Sequence, residues 1–168
     1  MTASAQPKLA LRPMLPADVP LLAEIFRASI AELTSDDYSE AQQEAWAASA
    51  DDEAAFGARL ADAVTLLGTL DGSPVGFASL IGGERLDMLY VHPAAAGRGV
   101  GTMLVDAVER LAAGRGAARL TADVSDSAQE FFRRRGFVPR QRNTVPLAGE
   151  WLANTTMDKP LAAKERAQ

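Results

Sequence analysis

The sequence predicts a mixed α/β (α+β) domain, a mostly antiparallel sheet of six to seven strands flanked by four to five helices. Three observations carry this expectation. Short apolar runs rich in β-formers are interspersed with amphipathic segments of helical period. Between Val64 and Val91 those runs are separated by the short turns Asp71-Gly72 and Gly82-Gly83, which predicts an antiparallel meander. The stretch Leu86–Leu111, LDMLYVHPAAAGRGVGTMLVDAVERL, then passes from strand through a glycine cluster into a helix. Its residues Val100, Met103, Leu104, Ala107, Val108 and Leu111 fall at i, i+3, i+4, i+7, i+8 and i+11, one apolar face.

The elements follow in order. Lys8–Arg12 is a first strand, ended by Pro13 and Pro16. Asp18 is expected to cap a helix beginning at Val19-Pro20 and running to Leu33. Ser39 caps a helix over Glu40–Ala47, and Asp51 or Asp52 the next, through Leu60. Both are Ala-rich and thinly apolar, so they are expected to form a covering layer. Strands follow at Val64–Leu70, Val75–Ile81 and Arg85–Val91, then the helix after the glycines, which ends near Gly114 and Gly116. Arg119–Val124 is a strand, Asp126–Arg135 a short helix stopped by Gly136, and Phe137–Val145 and Trp151–Lys159 a last strand pair.

The 168 residues fit a single domain over 8–161, with 1–7 and 162–168 expected as flexible termini. No run of about 18 apolar residues occurs, so no spanning helix is expected. MTASAQPK lacks a basic stretch followed by an apolar one, which makes the cytoplasm the expected location. With no Cys and one His, no disulfide, thiolate metal site or acyl-cysteine chemistry is expected, and no bound metal. A net charge of −5 argues against general nucleic-acid binding. The charge is divided: residues 1–84 carry 4 basic and 13 acidic residues, net −9, and residues 85–168 carry 13 and 9, net +4. That predicts a polyanionic ligand on the basic half and a neutral or cationic one on the acidic half.

The glycine cluster Gly97, Arg98, Gly99, Val100, Gly101 with Thr102 has the character of an anion cradle, because a helix N-terminus offers unpaired N–H groups. A P-loop is excluded, since Gly101 is followed by Thr102-Met103 and no Lys. A dinucleotide fingerprint fits poorly, because Thr stands at 102 and the preceding strands are antiparallel. The order Val91-His92-Pro93, Gly99-Val100-Gly101, amphipathic helix resembles the acyl-CoA motif of the GNAT superfamily of N-acetyltransferases. Ala128, Phe131, Phe132, Gly136 and Phe137 match that family's second pattern, and Met157–Leu161 its C-terminal strand. The stretch from Asp37 to Ala47 resembles a bacterial subgroup of that family.

The resemblance implies acetyl-CoA as donor and an amine acceptor, a small molecule or a peptide, attacking directly. Pyrophosphate would lie on the N–H groups of Gly97–Thr102 and pantetheine along Leu89, Tyr90 and Val91, with Ser125 and Phe132 beside it. Arg133, Arg134 and Arg135 either reach the CoA phosphates or form a solvated helix face. Where many relatives hold a proton-donating Tyr, this chain has Phe132, which makes a non-catalytic acyl-CoA-binding module the competing expectation.

Asp87 is the leading general base, expected by strand alternation to share a face with Leu89 and Val91. Alternatively it pairs with an Arg such as Arg85 or Arg119, or faces solvent. Tyr38 is the candidate for the missing proton, or else packs the helical cover with Trp46. His92 either does acid–base work or shapes its turn, and Asn143, Trp151 and Asn154 are candidates for the acceptor pocket. The resemblance implies that residues 31–62 build the acceptor site, and their nine acids against one Arg predict a cationic acceptor. Dimerisation through the last strands, with Trp151 as anchor, is a further expectation.

Overall fold

The computed structural model describes residues 7–162. The expected flexible termini therefore lie, apart from residues 7 and 162 themselves, outside the described residues. Seven strands form one sheet in the order β1-β2-β3-β4-β5-β7-β6. They are β1 (Leu9–Pro13), β2 (Val64–Leu70), β3 (Ser73–Ile81), β4 (Arg85–Val91), β5 (Arg119–Ser125), β6 (Val138–Leu147) and β7 (Glu150–Pro160). All neighbours run antiparallel except β4 and β5. Asp71 and Gly72, both at positive φ, close the two-residue turn between β2 and β3.

Five helices cover the sheet: α1 (Val19–Leu33), α2 (Glu40–Ala47), α3 (Glu53–Ala61), α4 (Val100–Gly114) and α5 (Gln129–Arg134). On one face, Leu104, Val105 and Val108 of α4 pack with Leu80, Leu120, Phe132, Phe137 and Met157. On the other, Leu22, Ile25, Phe26 and Ile30 of α1 pack with Leu67, Phe77 and Met88. The third helix is more than a cover, since Phe56 and Leu60 are fully part of this second core.

Two helix starts behave as expected. Ser39 forms a capping box with Gln42, and Asp52 accepts from the Ala55 N–H. The third does not. Asp18 makes no cap bond to α1; it closes a one-turn 3-10 segment by accepting from Leu15 N–H at 2.7 Å. Arg12 grips the same carboxylate at 2.8 and 2.9 Å and holds its pKa below the usual range. The strong Arg12 fork, not the helix N-terminus, decides where this carboxylate points.

Helix α4 lies unusually close to the meander. A Cβ on Gly76 would stand 2.9 Å from Val100 Cγ1 and 3.0 Å from the Tyr90 carbonyl oxygen. Neither neighbour yields easily, because Val is stiff at χ1 and the other atom is backbone. Gly76→Ala is expected to destabilise the protein by about 1–3 kcal/mol. Gly114→Ala, at a helical position with nothing within 4 Å, is expected to stabilise it by about 0.4–1 kcal/mol. Urea unfolding of the two variants checks the opposite signs.

Candidate active site

Strands β4 and β5 are hydrogen-bond partners only at Arg85↔Thr121 and Leu86↔Ala122. Beyond Leu86 the two diverge, and β4 keeps β3 as its single strand partner through Val91. A cavity of about 260 Å³ occupies the splay. Residues 86–91 of β4 and 122–125 of β5 form its sides, and Gly101, Phe131 and Phe132 close it on the α4 face. Leu33 and Trp46 reach it from the α1 and α2 side, so it is lined from both faces of the sheet.

At the α4 end, Gly97 and Gly99 both adopt left-handed backbone, with φ of 76° and 85°. That geometry suits glycine and turns the chain into the helix. The first bond of α4 runs from Met103 N–H to the Gly99 carbonyl, leaving the N–H groups of Val100, Gly101 and Thr102 without an intrahelical acceptor. Gly97, Arg98, Gly99 and Thr102 are exposed, while Val100 is buried and anchors the turn. Of the arginine run, Arg135 is committed to structure: it pairs with Asp106 and lies over the Phe131 ring. Arg134 pairs with Glu130 on the exposed helix face, and Arg133 is exposed.

Asp87 departs from the expected alternation. Ser79 is opposite Met88 and Leu80 is opposite Leu86, so Asp87 is the extra residue of a β-bulge. Leu89 and Val91 pack on the α4 core, whereas Asp87 turns to the other face with Met88 and Tyr90. There its two oxygens accept from Arg59 of α3, Nε at 2.8 Å and Nη2 at 3.0 Å. The pair is thus with Arg59, not with Arg85 or Arg119. Those two bind Asp123 and Asp158 instead. Asp87 raises the pKa of Arg59, chiefly through these hydrogen bonds.

Asp123, the other cavity carboxylate, would be driven upward by burial. The Thr156 hydroxyl and Arg85, both at 2.7 Å, outweigh burial and leave its pKa lowered. Tyr90 accepts a hydrogen bond from Trp46 Nε1 at 3.2 Å, and burial pushes its pKa up to about 12. Its side chain, expected only as a neighbour of the pantetheine backbone site, belongs to the cavity wall with Trp46. The single Arg among nine acids in residues 31–62 was the visible signal for Arg59, but nothing local tied it to a residue 28 positions away.

Tyr38 is not placed as a proton donor. Its hydroxyl donates to the Ala153 carbonyl at 2.6 Å and accepts from Asp126 N–H at 2.9 Å. It does not line the cavity, and burial raises its pKa. It is a tie between the α1–α2 segment, β7 and the turn after β5. Phe132 does line the cavity, edge-on to Phe131 and Phe137. Ser125 lines it as well, its Oγ accepting from Ala128 N–H.

His92 caps its own turn, Nδ1 accepting from Ala94 N–H at 3.1 Å, and stands outside the cavity. Asn143, Trp151 and Asn154 also stand outside it. Asn143 donates to Asn154 and Thr156, and Trp151 is 62% exposed on the β6–β7 hairpin. Among the described residues no cluster of His, Cys, Asp and Glu could hold a metal ion, and no helix is long and apolar enough to cross a membrane.

Tyr38→Phe removes the donor to Ala153 and strands the Asp126 N–H. Thermal and urea unfolding are expected to register a loss of about 1–3 kcal/mol. A stability equal to wild type would show that the tie carries no energy.

A model of the acetyltransferase (GNAT) domain matches residues 34–161. The uncharacterized N-acetyltransferase YafP of Escherichia coli strain K12 is 32% identical over 147 residues, 88% of this chain and 93% of that protein. A crystal structure of a GCN5-related N-acetyltransferase from Rhodopseudomonas palustris superposes with a TM-score of 0.90. It is 61% identical, covering 96% of this chain and 99% of that one. PaiA N-acetyltransferase of Thermoplasma acidophilum, solved in complex with coenzyme A, shares the fold with a TM-score of 0.74. There the identity is 19%, over 91% of this chain and 99% of that one. The glycine turn, the splayed strands and these likenesses lead to one conclusion: the chain belongs to the GNAT family of acetyltransferases.

Proposed function

We propose that the protein transfers an acetyl group from acetyl-CoA to an amine, by direct attack within the splay between β4 and β5. The observation that carries the reading is the continuity of the site. A helix N-terminus with free N–H groups lies next to a strand edge without a partner, and that edge lines an open cavity. Pyrophosphate suits Gly97, Arg98, Gly99, Val100, Gly101 and Thr102, because unpaired N–H groups and the helix dipole favour negative charge. Arg133 is available to the CoA phosphates. The open edge of Leu89, Tyr90 and Val91 suits the amides of pantetheine, which would add to the sheet as a strand does. Ser125 and Phe132 flank the arm from β5 and α5. PaiA, which shares this fold, holds coenzyme A in its crystals.

In this reading the amine nitrogen attacks the thioester carbonyl carbon. The C–N bond forms and the C–S bond breaks with its electron pair on sulfur. Backbone N–H groups beside the bulge polarise the carbonyl. Asp87, a cavity carboxylate held by Arg59, takes the proton that nitrogen sheds. Phe132 supplies no proton, but a thiol with a pKa near 8.5 is a fair leaving group and needs little help. The expectation of a cationic acceptor rests on the acidic surface of residues 31–62, which does not reach the place of reaction and so does not select the acceptor's charge there. All nine acids there are exposed and none lines the cavity, so their part is long-range attraction.

Two variants separate the roles. Asp87→Asn is expected to lower kcat by about 10²–10⁴ while coenzyme A affinity holds, and an unchanged pH–rate profile would remove Asp87 from the reaction. Gly99→Val is expected to abolish coenzyme A binding in calorimetry, since position 99 needs φ near 85°. Wild-type protein that binds coenzyme A tightly, yet acetylates no amine, would instead support a non-catalytic acyl-CoA-binding module.

A further inference from the structure

We infer that the acceptor is an arylamine, uncharged at neutral pH, whose ring is received by Trp46 and Tyr90 on the α1–α2 side of the cavity. The inference rests on the acetyl-transfer reading and adds the acceptor class to it.

Two independent observations converge on this class. The first is the wall. Aromatic residues make up only 6% of the chain, yet both tyrosines and one of the two tryptophans gather here. The rings form a continuous chain, Tyr38 to Trp46 at 5.3 Å, Trp46 to Tyr90 at 6.4 Å, and Tyr90 to Phe26 at 4.6 Å. The hydrogen bond from Trp46 to Tyr90 fixes the two cavity-lining rings against each other. Leu33 and Met88 extend the same wall with apolar surface. A rigid wall of this kind favours a flat apolar guest over a flexible polar one.

The second observation is charge. Among the described residues, the only ionisable carboxylates lining the cavity are Asp87 and Asp123, and each is already balanced. Asp87 sits on the fork of Arg59, and Asp123 on Arg85 and Thr156. An alkylammonium entering this space would lose its hydration without gaining an unbalanced partner, which is costly. It would also have to give up a proton before attacking. An arylamine brings neither burden, because its nitrogen keeps a free electron pair at neutral pH. After attack, that nitrogen's proton passes by way of Asp87 to the departing sulfur, so the products are the N-acetyl arylamine and free coenzyme A.

The test is a comparison of initial rates for the full-length protein with acetyl-CoA at neutral pH. The acceptors are aniline, 4-methoxyaniline, spermidine and a lysine-containing peptide. The arylamines are expected to show kcat/KM at least about tenfold higher than the two cationic amines. Trp46→Ala should raise KM for 4-methoxyaniline by about tenfold, with Trp46→Phe restoring most of it and coenzyme A affinity unmoved in calorimetry. Equal or greater kcat/KM for spermidine or the peptide would overturn the arylamine assignment while leaving acetyl transfer intact. Coenzyme A binding with no acetylation of any of the four would overturn the acetyl-transfer reading itself, and the assignment with it.

Discussion

The parting of β4 from β5 is the constraint on which the rest of the structure depends. Two adjacent parallel strands would normally pair along their whole length, because unpaired backbone groups inside a fold are costly. Here the pairing stops after Leu86↔Ala122. The chain arranges this by sending β5 on to pair with β7 along its full length, from Arg119↔Pro160 to Ser125↔Asn154, while β4 stays with β3. The opening is therefore held by antiparallel ladders on both sides, continuous in β5–β7 and interrupted by one bulge in β3–β4. Beyond Leu86 the β5-facing edge of β4 is left without a strand partner and lines the cavity.

The bulge at Asp87 is the second consequence of that geometry. One extra residue lets Leu89 and Val91 face the α4 core while the carboxylate turns to α3. A regular strand would have put Asp87 among apolar side chains on the α4 face, where an ionised group is hard to keep. The bidentate bond to Arg59 gives the carboxylate a partner and leaves it at the cavity, with about a tenth of its side chain exposed. The placing of this carboxylate thus arises from one local irregularity.

Much of the fold was legible in the sequence because its signals are local. The strand Arg85–Val91 and the helix starting at Val100 follow from an apolar run, a glycine cluster and a helical period, and the structure has them at those residues. The turn at Asp71-Gly72 and the cap at Ser39 were equally readable. The bulge was not, since Leu86-Asp87-Met88-Leu89 offers apolar residues to either register. Arg59 was hidden for another reason: its partner lies in a different element, and no spacing rule connects a helix to a strand 28 residues on. Asp18 shows the opposite failure, a sound capping signal overruled by a stronger charged neighbour.

Three of the ties that hold the α1–α2 segment lead to the far end of the chain. Tyr38 reaches Ala153 across 115 residues, Gln42 reaches Trp151 across 109, and Asp37 reaches Ser127 across 90. Contacts of such separation form only after the intervening chain has closed on itself, at an entropic cost that delays them. These three ties are therefore among the last contacts to form as the polypeptide leaves the ribosome. Until the β6–β7 hairpin exists, the nascent protein has its glycine turn and its meander, but lacks the ties from Tyr38 and Gln42 that hold the α1–α2 segment across the sheet.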